Sequence, residues 1–559
     1  ATDRYGLLKL NADSFQLTIM NEAPHKVEVL NISTLLITGN NTLWCATKGF
    51  GLLKMSLENY RHQYFSASMD NPESISGNTL ISLAVDGSKN LWIGTDGSGL
   101  SLLQLEGKQF RRYMHIVGND ESLAFQSVRS IYQHKNGLLF IGGYGGLDVI
   151  NRKTGAYTHY KTSNKESPRV LKNSCIYSIA PYAPQPGKYL WVGTEGSGLS
   201  RMNLRTKTFE HSLFYNQIKG TSIFALSNEN DSILWIGTEK GINRLNVMTS
   251  ECRYLFSDKN RNEYIGKTWA IKKDSKGNIW FGSSEKGLFK ICRNTTHLAE
   301  PDIRNYQHTA TDNYSLSNNS VLCIQEDSKG RVWIGTNSGL NRLETQHDKN
   351  DSVRFTHYTT YNGLPNNVVY AILEDNSGNL WLSTNRGLSK FNPQTQVFKN
   401  YDATDGLQGD EFNTTAYFKN DKGELFFGGI NGAVSFIPEK IKDNDYIPPV
   451  IFTSFKKFNE KVALDTHITE KKYLALSYKD QIISFEVSAL NYYKPEKNQY
   501  AYKLEGFNTE WIHQNNKRDI NFTNLNPGKY TLHVIGSNND GVWNKQGTSL
   551  DIYIEPPFW

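Results

Sequence analysis

A short segment of aromatic, apolar and glycine residues recurs nine times along this 559-residue chain, and this repeat constrains the fold more than any other feature. Each copy has an aromatic residue in an apolar run, a small-residue turn, and a second apolar run, as in GRVWIGTNSGLNRL. The aromatic anchors are Trp44, Trp92, Phe140, Trp191, Trp235, Trp280, Trp333, Trp381 and Phe426. Their average spacing of about 48 residues is typical of propeller blades or solenoid units.

A glycine-rich segment next to a strand could also be a phosphate-binding loop. Such a loop occurs once per site and opens a helix. The segment found here recurs and is followed each time by another strand-like run. The repetition therefore argues against a nucleotide site.

Turn signals divide each unit into four short strands. An apolar run such as 320–324 precedes an Asp-x-x-Gly turn, the aromatic strand and the glycine turn follow, and a less regular strand such as 353–358 closes the unit. Turns between short strands rich in aromatic and branched residues predict hairpins. Four strands in a unit of this length form one blade of a β-propeller. We expect the aromatic anchors to fill the space between neighbouring blades, and the glycines to let the blades approach closely.

Counting seven units back from the last copy predicts a closed seven-bladed propeller over residues 113–440. Residues 1–112 then hold two complete units, and RYGLLKLNADSF (4–15) looks like the tail of another blade. A few blades cannot bury their own faces. We therefore expect residues 1–112 to be the last blades of an upstream, truncated propeller, which would also explain why no signal peptide is visible. One ring of nine or more blades is the alternative.

The repeat stops near residue 445, at the proline-marked segment DNDYIPPV. Residues 446–559 alternate polar and apolar residues over strand-length runs separated by Gly, Asn and Pro turns. This spacing predicts an immunoglobulin-like β-sandwich without its cysteine pair. The whole chain is therefore predicted to be all-β.

Composition narrows the classes of function. The sequence has no stretch of about 18 consecutive apolar residues, so we predict no membrane-spanning helix in it. Five cysteines, an odd count with no C-x-x-C pair, predict neither a disulfide framework nor a zinc site. A net charge of +6 with interspersed signs does not indicate a nucleic-acid partner. We predict no cofactor and no metal for this region.

The innermost strand of each unit combines two constant positions with one variable position. Aligned on the anchors, the variable position holds Ile81, Arg129, Tyr177, Phe224, Trp269, Leu322, Tyr370 and Thr415. The next two positions are small and then aliphatic, as packing requires. We expect the variable position to lie near the rim and to bind ligand. Arg129, Tyr177, Trp269 and Tyr370 would suit a sugar, with aromatic faces for its apolar surfaces and Arg for hydroxyl or acidic groups. The alternative is that these large side chains wedge between blades.

The turn after the aromatic strand also varies between units. Rigid scaffolds present binding residues on such loops. We predict that Tyr144 and Arg386 join the binding site, because large planar groups are uncommon in these turns; the alternative is that they are solvated turn residues. Trp511, Trp543 and the tyrosines of the C-terminal region are predicted to form its core and its packing against the propeller rather than a binding site.

The motif LW-[IVL]-G-T-x-x-G-[LI] resembles the two-component-regulator propeller repeat. The segments QYAYKLEGFNTEW and LNPGKYTLHVIGSNNDGVWN, with Tyr500, Tyr502 and Tyr530, look like the Tyr-rich (Y_Y_Y) module that follows such propellers, and 405–438 is similar to the last blade of this family. The resemblance implies the periplasmic sensor region of a Bacteroides-type hybrid two-component system. Such proteins carry two seven-bladed propellers, the Tyr-rich sandwich, a membrane helix beyond it, and a cytoplasmic histidine kinase. This sequence departs from that pattern by lacking most of the first propeller and the kinase.

The resemblance implies a non-enzymatic region that binds a glycan-derived oligosaccharide and signals across the inner membrane to control polysaccharide-utilisation genes. A homodimer through the C-terminal sandwich is the expected partner arrangement. A propeller glycosidase needs two positioned carboxylates and a lyase needs a Tyr or His base. Neither stands out among 55 acidic residues and 13 histidines, so no catalytic residue is predicted. A propeller lyase or glycosidase, or a protein-docking propeller, remains the alternative.

Overall fold

The computed structural model describes residues 7–20, 31–39, 41–69, 74–107, 109–162, 167–256, 265–298, 301–345 and 353–557. Strands dominate, and the helices among these residues are single 3-10 turns, none of which could cross a bilayer. These turns are Arg293–Thr295, Thr360–Asn362, Ala403–Asp405, Pro438–Lys440 and Pro495–Lys497. The contacts divide the chain into two compact units, residues 1–107 together with 442–559, and residues 108–441.

The first strands of the chain form a hairpin and two blade-like sheets. They are β1 (Leu8–Leu10), β2 (Leu17–Ile19), β3 (Ile32–Thr38), β4 (Thr42–Thr47), β5 (Leu52–Ser56), β6 (His62–Phe65), β7 (Leu80–Val85), β8 (Asn90–Thr95) and β9 (Leu100–Gln104). β1 pairs with β2, β3–β6 form one antiparallel sheet, and β7–β9 form another. The predicted blades around Trp44 and Trp92 are confirmed. Residues 4–6 of the predicted earlier tail lie outside the described residues, and the following part forms β1 and β2.

Residues 108–441 form a seven-bladed β-propeller whose blades, within the described residues, are four-stranded antiparallel sheets. Blade 1 is β11 (Val128–Gln133), β12 (Leu138–Gly143), β13 (Gly146–Asn151) and β14 (Tyr157–Tyr160); blade 2 is β15 (Ile176–Pro181), β16 (Tyr189–Thr194), β17 (Leu199–Asn203) and β18 (Thr208–Leu213); blade 3 is β19 (Ile223–Asn228), β20 (Ile233–Thr238), β21 (Gly241–Asn246) and β22 (Glu251–Tyr254). Blade 4 is β23 (Thr268–Lys273), β24 (Ile279–Ser283), β25 (Leu288–Ile291) and β26 (Ile303–Tyr306); blade 5 is β27 (Val321–Glu326), β28 (Val332–Thr336), β29 (Gly339–Thr345) and β30 (Val353–Tyr358). Blade 6 is β31 (Val369–Glu374), β32 (Leu380–Thr384), β33 (Gly387–Asn392) and β34 (Val397–Tyr401); blade 7 is β35 (Phe412–Lys419), β36 (Leu425–Gly429), β37 (Gly432–Phe436) and β10 (Arg111–Tyr113).

The ring closes through β10, which precedes blade 1 in sequence but is the outermost strand of blade 7. It pairs antiparallel with β37, with Arg111 opposite Ser435 and Tyr113 opposite Ala433. The predicted start at residue 113 falls inside this strand, because a count of aromatic motifs cannot assign a strand that lies a whole ring away from its sheet. Blade 7 also packs on blade 1, so a single ring of nine or more blades is excluded.

The hydrophobic core of the propeller lies between its blades. Trp333 of blade 5 packs with Val369 and Phe391 of blade 6, and Phe426 of blade 7 packs with Val128 of blade 1. The predicted role of the aromatic anchors is therefore confirmed. A side chain at Gly335 would place its Cβ 2.6 Å from the Val369 carbonyl oxygen, so this close approach of two blades requires glycine.

At one end of the inner strands, which we call the turn end, the Asp-x-x-Gly turns are tied to the aromatic anchors. The Oδ2 atom of Asp327 accepts a hydrogen bond from Trp333 Nε1 at 2.8 Å. Equivalent bonds join Asp86 to Trp92, Asp274 to Trp280 and Asp375 to Trp381 at 2.8–3.0 Å. Burying an indole N–H without an acceptor costs about 1–3 kcal/mol. The repeated aspartates therefore satisfy the indole N–H groups of these four tryptophans.

Neighbouring blades are also joined at the turn end. The Glu374 carboxylate of blade 6 accepts bonds from the Ser328 backbone N and hydroxyl of blade 5, at 2.8 and 2.6 Å. Between blades 7 and 1, Arg152 donates to both oxygens of Glu424, at 2.6 and 2.9 Å. Both side chains are largely buried, so this bidentate pair reinforces the closure that β10 makes.

The C-terminal residues form an immunoglobulin-like β-sandwich. Its strands are β38 (Val450–Lys457), β39 (Glu460–Lys461), β40 (Tyr473–Ser477), β41 (Ile482–Ala489), β42 (Tyr500–Glu505), β43 (Ile512–His513), β44 (Asp519–Thr523), β45 (Gly528–Ser537) and β46 (Trp543–Glu555). The sheet β39-β38-β41-β44 faces the sheet β40-β46-β45-β42-β43 across one hydrophobic cluster. Tyr500 and Tyr530 are buried in that cluster, as predicted, whereas Trp511 is exposed.

Candidate functional site at the bulge end of the propeller

The variable position of the inner strands is a β-bulge. In blade 1, β11 and β12 pair Val128 with Gly143 and then Ser130 with Gly142, so the ladder skips Arg129. The same skip occurs in blades 2 to 6 at Tyr177, Phe224, Trp269, Leu322 and Tyr370, and a longer irregularity in blade 7 contains Thr415. A bulged residue leaves the ladder and its side chain is re-aimed. This position can therefore vary without changing the sheet, and we call this end of the inner strands the bulge end.

Three of the predicted residues meet at the bulge end of blades 1 and 2. The Arg129 guanidinium lies 5.0 Å from the centre of the Tyr144 ring and 5.7 Å from that of Tyr177. The two tyrosine hydroxyls are hydrogen-bonded at 2.6 Å, and their rings are perpendicular. Tyr144 comes from the turn between β12 and β13, so a loop residue and two bulge residues form one cluster.

Tyr177 extends this cluster to blades 3 and 4. Its ring centre lies 4.9 Å from that of Phe224 and 6.3 Å from that of Trp269. The Lys267 ammonium lies 5.5 Å from the centre of the Trp269 ring. Tyr177 and Phe224 are buried, Trp269 is half-buried and Lys267 is exposed. Part of the cluster therefore packs between blades, which was the alternative prediction, and part faces solvent.

A cavity of about 1030 Å³ runs along the inner strands of blades 1 to 4 and 7, and Arg129, Tyr144 and Lys267 are not among its lining residues. Tyr177, Phe224, Trp269 and Thr415 line it at the bulge end, and turn residues such as Asn136 and Asp421 line it at the turn end. A volume of this order is typical of small-molecule binding sites.

Two of the predicted residues lie apart from the cluster. The Tyr370 hydroxyl donates to Asn385 Oδ1 of its own blade at 2.9 Å. The Arg386 side chain is exposed, and its backbone N donates to the Thr384 hydroxyl at 2.9 Å. Among the described residues, neither side chain bonds to or stacks on the cluster of Arg129 and Tyr177. Both are at the bulge end of blade 6.

The electrostatics of the cluster suit binding. Burial, reinforced by the hydrogen bond to Tyr144, raises the pKa of Tyr177 well above its usual range. The nearby Glu195 carboxylate raises the pKa of Tyr177 further, and Arg129 opposes this effect. The Tyr177 hydroxyl therefore stays protonated at neutral pH and acts as a hydrogen-bonding group rather than as a base.

Sequence reasoning missed Phe224 and Lys267 as members of this cluster. Phe224 occupies the same variable position as Arg129, so membership of the aligned set was a sufficient signal. Lys267 lies two residues before the bulge residue Trp269, outside the aligned variable position, so the comparison of the repeats does not single it out. The cluster that should be tested is therefore Arg129, Tyr144, Tyr177, Phe224, Lys267 and Trp269, which we call the bulge-end cluster.

Two family models match the chain. Residues 315–338 and 363–386 match the two component regulator propeller, and residues 491–555 match the Y_Y_Y domain. The chain carries the repeats and the terminal domain of two-component regulator propeller proteins. The resemblance that the sequence motifs indicated is confirmed. The propeller matches cover the bulges, tryptophan strands and turns of blades 5 and 6.

Similar proteins agree with this assignment. The chain is 28% identical over 481 residues to Histidine kinase P4 of Formosa agariphila. The aligned region covers 74% of this chain and 34% of that protein. It therefore spans about a third of the length of this curated relative. The extracellular domain of the hybrid two-component system BT3049 from B. thetaiotaomicron has a TM-score of 0.81 at 24% identity, covering 99% of this chain and 70% of that one. That similarity shows a shared fold.

Proposed function

We propose that this chain is the extracytoplasmic ligand-sensing region of a hybrid two-component sensor kinase, and that it binds a glycan-derived oligosaccharide at the bulge-end cluster. The observation that carries the proposal is the bulge in every inner strand. It places a variable, often aromatic side chain outside the ladder and gathers Arg129, Tyr177 and Trp269 at one end of the ring.

The chemistry of the cluster favours a saccharide. A sugar presents flat C–H surfaces and a rim of hydroxyl groups. Trp269 and Tyr144 offer partly exposed aromatic rings to the first, and the Tyr144 hydroxyl and the Arg129 guanidinium offer polar groups to the second. In a binding site with an aromatic lining, a few polar groups fix the orientation of the ligand and provide specificity.

The proposed signalling role is supported by the propeller repeats, the Y_Y_Y domain and the similarity to a histidine kinase. The region is proposed to be periplasmic, to pair as a homodimer through its sandwich, and to precede a membrane anchor. Ligand would control polysaccharide-utilisation genes through the kinase. A ligand can signal only if it binds two arrangements of the dimer with different affinity.

Calorimetry of the purified chain with a panel of size-defined oligosaccharides tests this function, with chromatography of each sugar afterwards. Saturable binding with the sugar recovered intact is the expected result. Cleavage of the sugar would show a lyase or glycosidase instead. No binding to any saccharide would overturn the proposal and leave a protein-docking propeller.

A further inference from the structure

Arg129 differs from six other half-buried arginines of the propeller, because it has no acidic partner among the described residues. These six have a guanidinium nitrogen 2.5–3.9 Å from a carboxylate oxygen, namely Arg152, Arg201, Arg244, Arg304, Arg331 and Arg342. Among the described residues, Arg129 makes no ion pair. Its buried Nε has no hydrogen-bond partner, and the same is true of the Nε atoms of Arg152, Arg201 and Arg244, but the guanidinium groups of those three are held in ion pairs. The contacts of Arg129 are the faces of two tyrosine rings.

The Arg129 guanidinium therefore has hydrogen-bond donors without acceptors, and burying such a donor destabilises the folded state. An unpaired buried donor costs about 1–3 kcal/mol, and more when it belongs to a charged group. Stacking on Tyr144 and Tyr177 offsets part of that cost, because rings attract a cation through their faces. It leaves the in-plane N–H groups of the guanidinium available, and the fork that they form matches two oxygens of a carboxylate or of a tetrahedral oxyanion.

Two neighbouring features point the same way. The Thr415 hydroxyl donates to the Arg129 carbonyl oxygen at 2.8 Å, which fixes the backbone of the bulge from the adjacent blade. Lys267 places a second positive charge over Trp269, at the other side of the same cluster. The carboxylate that acts on these side chains, Glu195, is not within ion-pair distance of Arg129 among the described residues.

We propose that Arg129 anchors an acidic group of the saccharide, a carboxylate or a sulfate ester, and that Lys267 adds attraction from the opposite side of the cluster. This inference rests on the proposed saccharide-binding function and narrows it to acidic glycans. Arg129 would form two parallel charge-assisted hydrogen bonds to the acid group while its own faces stay on the two tyrosines. The sugar ring that bears the acid would then lie towards Trp269.

The test compares matched sugars and matched variants. Size-defined oligosaccharides from uronic-acid and sulfated polysaccharides are titrated beside their carboxyl-reduced and desulfated forms. The best ligand is then titrated into Arg129→Met, Arg129→Lys and, as control, Arg205→Met, which removes an exposed arginine from the turn between β17 and β18. Unfolding midpoints establish that each variant is folded, and the modified sugars test the inference without any variant.

The expected result is at least a tenfold loss of affinity when the acid group is removed from the sugar, equivalent to about 1.4 kcal/mol. Arg129→Met should lose as much, Arg129→Lys less, and Arg205→Met nothing. If carboxyl reduction weakens binding, Arg129 binds a carboxylate. If desulfation weakens binding, it binds a sulfate ester. Tight binding of a neutral sugar, or unchanged affinity in Arg129→Met, would overturn the acidic-group inference while leaving the saccharide function in place. Absence of binding to every sugar would overturn both.

Discussion

The two ends of the inner strands differ in how their side chains are used. At the turn end, blades 4, 5 and 6 repeat an aspartate that accepts a hydrogen bond from the tryptophan, as Asp327 does from Trp333. At the bulge end, the side chains vary, and Arg129 has no acidic partner among the described residues. Both ends belong to the same strands, so the difference is not one of fold. The contacts at the turn end stabilise the ring, and the proposed function assigns ligand binding to the bulge end.

The largest loss of stability is expected for Asp327→Ala. Asp327 accepts four hydrogen bonds, at 2.8 Å from Trp333 Nε1, 2.6 Å from Arg331 Nε, and 2.9 and 3.0 Å from two backbone N atoms of the turn. Removing the carboxylate leaves a buried indole N–H unsatisfied and should lower the free energy of unfolding by about 2–4 kcal/mol. Denaturant unfolding measures this value.

Asp327→Asn is the matched control, because it keeps an oxygen for the indole, and it should cost less. Burial alone would raise the pKa of Asp327, but the bonds from Trp333 and Arg331 hold it below its usual value. The stability that it contributes is therefore present above about pH 4 and is lost as the pH falls through its lowered pKa. A loss below about 0.5 kcal/mol in Asp327→Ala would break the proposed contrast between the two ends.

The ring-closing ion pair should have the next largest effect. Glu424→Gln keeps the shape of the side chain but removes the charge that faces Arg152 in a largely buried site. We expect a loss of about 1–3 kcal/mol in the free energy of unfolding, since the guanidinium stays buried. Glu210→Gln is the control, because Glu210 pairs with Arg201 at the surface and should cost at most about 1 kcal/mol. Equal losses in the two variants would show that closure does not depend on this pair.

A smaller, pH-dependent effect is expected for His159 on the outer strand of blade 1. Burial alone would lower the pKa of His159, but its hydrogen bond to Asp148 Oδ1, at 2.7 Å, raises it above 6.5. The stability from this pair is fully present below about pH 6.5 and is lost as the pH rises through the raised pKa. The loss should stay below about 1 kcal/mol, since His159 is partly exposed.

Unfolding of the parent chain and of His159→Asn at pH 5.5 and pH 8.5 measures this loss. Blade 6 carries Asn400 opposite Ser389 at the same place in the ladder, so asparagine fits the strand. The variant should show less of the pH dependence. An identical pH dependence in both proteins would contradict the assignment to His159.

The smallest effects on stability belong to the bulge end. Arg129→Met removes the stacking on Tyr144 and Tyr177, and Tyr370→Leu removes an exposed hydrogen bond to Asn385, but neither variant removes a carboxylate-paired group. We expect the free energy of unfolding to fall by no more than about 1 kcal/mol in either variant. Denaturant unfolding beside Asp327→Ala gives the comparison directly. A loss of more than about 2 kcal/mol would show that the bulge end is part of the scaffold.

The sequence predicts the fold well because the repeat carries it. Anchors such as Trp333 mark every blade, and turn aspartates mark the first hairpins of blades 4, 5 and 6. It does not reveal β10, since three residues carry too little pattern and their partner strand is more than 300 residues away. It locates the variable position but not the bulge, because a bulge is a property of the register between two strands.

The candidate site was only partly predictable for the same reason. Arg129, Tyr144 and Tyr177 meet because a turn and two neighbouring inner strands converge, and that convergence depends on how one blade packs on the next. Arg386 has the residue type of a binding group but projects from blade 6 into solvent. Residue type and position in the repeat therefore identify candidates, and only the packing of the blades selects among them.

Hydrogen–deuterium exchange with and without the best saccharide ligand compares the two ends in one experiment. Ligand should slow exchange in the segments that hold the bulge-end cluster, 128–130, 143–146, 176–178 and 267–270, and leave the turns at 274–278 and 326–330 unchanged. Slowed exchange confined to the turn end, with none at the bulge end, would contradict the claim that the varied ends of the inner strands are the binding end of this propeller.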